Sequence, residues 1–174
     1  MSQFWAGYQG WGLLLNETEF NTFLKTYCRE TSQSLKTLTE MIDDDGVEEC
    51  PFVSSVDADC FRQDIEDKKQ IDYHDYSTFD LIFLSKNTVS DVRLFPFKDK
   101  NGKIKYNPPV WYHDQDVYIL FFRYDCSSAN YFNGLRYDNY EQFINEFKKH
   151  LQHYLPKDFN WDAHVGNITY VEFA

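Results

Sequence analysis

The tripeptide Tyr-His-Asp occurs twice and brings together residue types that perform acid–base or metal chemistry. One copy contains His74 and the other contains His113, each followed directly by an aspartate. Imidazole changes its charge near neutral pH and binds metals, and carboxylates supply the matching acid, base or ligand. Adjacent residues of a strand point to opposite faces, however, so each His-Asp pair shares a site only outside regular β structure. A small metal-dependent or acid–base enzyme that uses these two histidines is therefore the alternative prediction.

A run of three aspartates before a glycine, Asp43 to Gly46, has part of the pattern of a calcium-binding loop. A helix-loop-helix calcium site also needs oxygen ligands at its first and last positions. Those positions hold Met41 and Phe52, whose side chains have no oxygen to offer. The sequence therefore predicts no calcium site at this run. The favoured interpretation of the whole chain also includes no other metal ligands and no cofactor. The three aspartates belong to a larger acidic segment.

Negative charge is concentrated between Asp43 and Asp80. The chain has 174 residues, of which 17 are basic and 28 are acidic, giving a formal net charge of −11. The segment 43–80 contains 13 of the acidic residues and 3 of the basic ones, so 10 of the 11 net negative charges lie there. A localised negative field attracts a basic partner and repels nucleic acid and anionic lipid. The charge distribution therefore favours a protein partner, and neither nucleic acid nor a membrane.

We expect the partner to contact carboxylates of this segment, with two tyrosines as aromatic anchors. The predicted contact residues are Asp43, Asp44, Asp45, Glu48, Glu49, Asp57, Asp59, Asp64, Glu66, Asp67, Tyr73 and Tyr76. These carboxylates would occupy the groove in which a nucleic-acid-processing target holds phosphate. A solvated acidic loop that only keeps the chain soluble is the competing interpretation.

The favoured functional hypothesis is a non-catalytic acidic protein that neutralises a basic, nucleic-acid-processing protein. Two versions fit the charge distribution equally. One is an immunity protein that blocks a toxin, typically a nuclease, and the other is a phage-type inhibitor of a nucleic-acid-guided defence nuclease, an anti-CRISPR protein. Direct nucleic-acid binding is disfavoured because the one dense cationic run, 98–105, carries four lysines only.

Composition predicts a folded chain in a reducing compartment. Aromatic residues make up 19% of the sequence, far more than a disordered chain carries. The N-terminus lacks the basic start of a secretion signal, and no apolar run approaches the roughly 20 residues that span a bilayer. We therefore expect a cytoplasmic protein whose four cysteines are reduced thiols, a Cys50–Cys60 disulfide being the less favoured alternative.

Two amphipathic helices are predicted, at about 17–43 and 139–155. Asn16 and Glu19 form a capping-box pattern before the first helix, and Asp138 and Glu141 form one before the second. Within the acidic segment, 43–49 is expected to be a loop and 58–70 a short helix.

The remaining patterns predict strands and one tight hairpin. Strands are expected at 3–15 (as one strand or a pair), 79–84, 92–97, 103–106, 117–124 and 165–173, with the turn of the hairpin at Asn101-Gly102 and the strand 117–124 at the centre of the sheet. Together these elements predict a single α+β domain over 1–174, with the acidic segment 43–80 as an insertion. We expect an antiparallel or mixed sheet covered by the helices on one face.

Overall fold

The computed structural model describes residues 5–43, 48–67, 80–84, 92–94, 97–98, 101–105, 110–112, 117–125 and 137–173. In chain order the elements are β1 (Trp5–Asn16), α1 (Glu17–Thr31), α2 (Leu35–Asp43), β2 (Glu48–Glu49), α3 (Ser55–Asp67), β3 (Asp80–Leu84), β4 (Val92–Leu94), β5 (Phe97–Lys98), β6 (Ile104–Lys105), β7 (Val110–Tyr112), β8 (Val117–Asp125), α4 (Tyr137–Leu151), a 3₁₀ turn (Gln152–Tyr154), α5 (Trp161–His164) and β9 (Val165–Phe173). The predicted mixture of helix and sheet is confirmed.

Seven of these strands form one antiparallel sheet in the order β2-β3-β8-β1-β9-β4-β7. The central strand is β1, which pairs with β8 on one side and with β9 on the other, so that Leu13 lies opposite both Leu120 and Val165. The strand 117–124, which the sequence predicts to be central, is β8 and lies directly beside the central strand β1. The terminal strand β9 has the predicted bounds, 165–173.

The glycine-rich N-terminal segment forms one strand of 12 residues, not a pair. Its side chains alternate between two faces, and Trp11 and Leu13 point into the core that contains the helices. Leu14, on the opposite face, is only 2% exposed, and Ile168 of β9 is fully buried. The core that contains the helices thus lies on the face of Trp11 and Leu13, and the opposite face also has buried side chains at the centre of the sheet.

The first helix begins as the sequence predicts. The Glu19 N–H donates to Asn16 Oδ1, and the Asn16 N–H donates to Glu19 Oε2, both at 2.9 Å. This reciprocal pair satisfies two backbone groups that the start of a helix leaves without partners.

The predicted helix 17–43 is broken into α1 and α2. Ser32 adopts the left-handed conformation with φ 57°, and its N–H donates to the Cys28 carbonyl, which ends α1. A second helix then starts, and the Ser34 side chain accepts a hydrogen bond from the Thr37 N–H at 3.3 Å. Because of the break, Leu35 is 39% exposed although it continues the apolar spacing of α1.

The second predicted helix, 139–155, corresponds to α4 and the 3₁₀ turn that follows it. α4 starts at Tyr137, so Asp138 lies inside the first turn and is not the cap that the sequence predicted. The predicted apolar stripe is confirmed, because four of its members are buried: Phe143, Ile144, Phe147 and Leu151.

The hairpin at Asn101-Gly102 is confirmed, but its first arm is shorter than expected. β5 pairs with β6 in a separate two-stranded sheet, and Gly102 has φ +76°, a conformation that favours glycine. β4 pairs instead with β7 and β9 in the large sheet. The predicted strand 92–97 is thus divided between two sheets, as expected for a segment containing Pro96, which cannot donate to a ladder; Pro96 itself lies outside the described residues.

In the described part of the chain, no helix has both the length and the apolar character needed to cross a membrane.

Candidate protein-binding surface

Most of the predicted contact residues lie on three consecutive elements. Asp43 is the last residue of α2, Glu48 and Glu49 form β2, and the remaining described acids, Asp57, Asp59, Asp64, Glu66 and Asp67, lie on α3. Asp44, Asp45, Tyr73 and Tyr76 fall outside the described residues. Asp43 is the last residue of α2, as the predicted helix bound at 43 requires, and the predicted loop 43–49 is wrong at 48–49, which pair as a strand. The predicted helix 58–70 is confirmed as α3, which begins three residues earlier and ends at Asp67.

Sheet topology places β2 and α3 on the same side of the fold. β2 is the outermost strand of the large sheet and pairs with β3, with Glu48 opposite Phe83 and Glu49 opposite Ile82. α3 follows β2 after a five-residue turn and packs against β3 as well. Both acidic elements therefore contact β3, the strand next to the β2 edge of the sheet.

An aromatic anchor holds the turn between β2 and α3 in the core. The ring centroid of Phe52 lies 4.8 Å from that of Phe23, 5.1 Å from that of Tyr27 and 5.7 Å from that of Phe83, each with edge-on geometry. Aromatic rings prefer such edge-to-face arrangements. The Tyr27 hydroxyl also donates to the Pro51 carbonyl at 3.3 Å. This turn is thereby fixed to α1 and to β3.

A second aromatic contact fixes α3 itself. Phe61 is 8% exposed, and its ring lies edge-on to Phe143 of α4 with centroids 5.4 Å apart. The predicted short helix 58–70 includes Phe61, but Phe52 was not predicted to be an anchor. The sequence feature that could have identified Phe52 is the apolar pair 52–53, which lies between the acidic residues of 43–49 and those of 57–67.

The face of α3 opposite Phe61 is open to solvent. Asp64 is exposed on the flank of the helix, three residues after Phe61, whereas Asp59 and Gln63 are exposed on the face opposite Phe61. Val56 is 69% exposed on the same side of the helix. The face of α3 opposite Phe61 therefore combines one carboxylate, that of Asp59, with one apolar side chain, and Asp64 adds an exposed carboxylate on another side of the helix.

Asp57 differs from these two aspartates because it serves the start of the helix. Its N–H donates to Ser54 Oγ at 3.1 Å, and the Ser54 hydroxyl donates back to its carboxylate. The hydrogen bond from Ser54 lowers the pKa of Asp57 below its ordinary value of 3.8, and the positive charges of His150 and Lys149 on α4 lower it further. Asp57 therefore contributes to the capping of α3.

The alternative histidine site cannot be built from the described residues, since His74 and His113 both lie outside them. Within the part that the structure describes, no group of three or more His, Cys, Asp or Glu side chains is arranged to hold a metal. His150 is partly buried on α4, with its Nε2 2.8 Å from Glu146 Oε1. His153 is exposed. These are the boundary and surface positions that their spacing on the helix predicts.

The described cysteines are free thiols. Cys28 and Cys50 are buried and Cys60 is exposed, so the alternative disulfide between Cys50 and Cys60 is not formed. Cys126 lies outside the described residues.

Comparison with known proteins gives no relative: no family model, no curated protein and no solved structure matches this chain.

Proposed function

We propose that the chain is a non-catalytic inhibitor that binds a basic, nucleic-acid-processing protein through the acidic edge formed by β2 and α3. The inhibitor could act in one of two biological settings. It would be either an immunity protein against a nuclease toxin or a phage-type inhibitor of a CRISPR nuclease. In this proposal residues 1–174 form one α+β domain. The observation that carries the proposal is the exposure of two carboxylates, Asp59 and Asp64, on different sides of a helix that Phe61 anchors in the core.

A fixed helix suits this role better than a free acidic loop. Charges that face the solvent raise the rate of encounter with an oppositely charged partner, while packed contacts set the lifetime of the complex. Because Phe52 and Phe61 hold α3 in place, little ordering of the backbone is needed when the partner binds. Val56, exposed beside the carboxylates, supplies the apolar contact that a complex needs.

The test removes the two exposed charges of α3 without changing side-chain size. The partner is captured from a lysate of the host on immobilised protein, identified, purified, and used for kinetic binding measurements. We expect Asp59→Asn/Asp64→Asn to slow association about tenfold at low salt and to reduce its salt dependence, with a smaller effect on dissociation. We also expect duplex DNA to compete with the protein for the partner, because both would use the same Lys and Arg side chains.

The matched control is Glu30→Gln/Asp158→Asn, which removes two exposed carboxylates outside the acidic segment. If net charge alone steered association, both double variants would slow it equally, and the proposed surface would be wrong. A complex that forms at the same rate in low and high salt, or that binds DNA without releasing the protein, would contradict the proposed function itself.

A further inference from the structure

Asn167 is a polar residue within the apolar core. It lies on β9 directly opposite Trp11 of β1. Alternation along β9 places its side chain on the same face as Val165, which belongs to the core. Trp11 and Val165 are fully buried and Asn167 is only 1% exposed, so bulk solvent does not reach its side-chain amide.

This amide needs hydrogen-bond partners. Its Oδ1 accepts up to two hydrogen bonds and its Nδ2 donates up to two. Neither atom has a partner among the residues that the structure describes. Removing such a group from water without replacing its hydrogen bonds destabilises the fold, and the large majority of buried polar side chains are paired with protein atoms or ordered water. Asn167 therefore requires a partner beyond the described residues.

Gln142 of α4 is less demanding. Its Oε1 is also buried without a partner in the described part of the chain, but the residue as a whole is half-buried and keeps contact with solvent. Asn167 is therefore the stronger candidate for an internal binding site.

The strand pairing shows where such a site lies. At Ile168, β9 pairs both with Gly10 of β1 and with Leu94, the last residue of β4. From Val165 to Asn167, its pairing within the described residues is with β1 alone. Asn167 thus lies where the described ladder between β9 and β4 ends, and a small molecule bound there does not displace a described strand pair.

The surroundings of this amide suit a small neutral ligand. Residues 10–15 of β1 and 165–168 of β9 include no ionisable side chain, so they offer no charge that would match an ion. The complete burial of Trp11 and Val165 restricts the size of the ligand. Water meets both conditions, and internal waters in proteins typically make about three hydrogen bonds to buried polar groups.

We propose that Asn167 binds an internal water molecule at this end of the β9–β4 ladder. One water can donate a hydrogen bond to Oδ1 and accept one from the Nδ2 hydrogen on the same side of the amide. The water thereby supplies both kinds of partner that the amide needs.

Nuclear magnetic resonance of the isotope-labelled wild-type protein tests this water directly. We expect the side-chain NH2 protons of Asn167 to show cross-relaxation with water, with the sign of a bound water that outlives the tumbling of the protein. Rotating-frame measurements separate this signal from proton exchange, which has the opposite sign. Asn145, exposed on α4, is the internal control, because its hydration water exchanges rapidly. A signal at Asn167 no different from that at Asn145 overturns the proposal.

Magnetic relaxation dispersion of water oxygen-17 gives an independent measurement, since it counts long-lived waters. We expect Asn167→Leu to lower the count by about one, because leucine has no hydrogen-bonding group and fills the position of the water. Asn145→Leu is the matched control and should leave the count unchanged. An equal count in the wild type and in folded Asn167→Leu contradicts the proposal. If this variant does not fold, the measurement on the wild-type protein decides.

Discussion

Burial gives the cysteines of this chain different reactivities. Cys60 is exposed on the outward face of α3, whereas Cys50 is 6% exposed at the start of the anchored turn. Removal from water raises the pKa of the Cys50 thiol to about 12, against weaker opposing effects of backbone hydrogen bonds from Phe52 and Val53. The thiolate is the reactive form, and at about pH 8 a thiol with that pKa is ionised at only about one part in ten thousand.

Alkylation should therefore distinguish Cys60 from Cys50. We expect iodoacetamide at about pH 8 to modify Cys60 in the folded protein and to leave Cys50 unmodified until denaturant is added. Peptide mapping by mass spectrometry measures each site separately. Labelling of Cys50 at the rate of Cys60 in the native protein would contradict the burial described for this turn.

At the scale of elements, Phe52 connects the acidic segment to the core. Its ring touches residues from both α1 and β3, and it lies between β2 and α3, the two elements of the proposed surface. We expect Phe52→Ala to lower the free energy of unfolding by about 3–5 kcal/mol, because it removes a large buried side chain and leaves a cavity. Chemical denaturation measures the change.

Phe52→Leu is the conservative comparison, with an expected loss of about 1–1.5 kcal/mol because most of the apolar volume is kept. If both substitutions had the same small effect, Phe52 would not be an anchor, and the rigid position of α3 would lose its main support.

The elements that sequence predicts well are those with local signals. The capping box of Asn16 and Glu19, the glycine of the hairpin turn and the alternation of β9 each depend on residues close in sequence. The break at Ser32 has no such signal, because serine rarely adopts positive φ and the apolar spacing continues through it. For the candidate surface, the acidic residues could be named from sequence, but the anchoring of α3 on α4 through Phe61 and Phe143 could not, because these two residues are 82 positions apart in the chain.

At the scale of the whole molecule, the sheet is built from distant parts of the chain. The central strand β1 pairs with β8 and β9, both more than 100 residues later. Alternation in a strand predicts which side chains share a face but not which strand is the neighbour, so the strand order could not be predicted from sequence.

Amide hydrogen exchange should follow this strand order. We expect the amides of β1 between Gly10 and Leu15 to exchange most slowly, about a hundredfold or more slower than those of β2, because β1 has partners on both sides and β2 has one. Exchange followed by mass spectrometry under native conditions measures the difference. Faster exchange in β1 than at the edges would contradict the central position of β1.

The charge of β2 also affects how copies of this protein behave at high concentration. An outer strand with unpaired backbone groups is a template on which another chain can add and begin a fibril. Here that position is held by two adjacent glutamates, and the strand at the other edge, β7, has three residues. An incoming copy that added to the sheet through its own β2 would bring its glutamates against those of the first molecule. The placement of Glu48 and Glu49 thus opposes growth of the sheet from one molecule to the next.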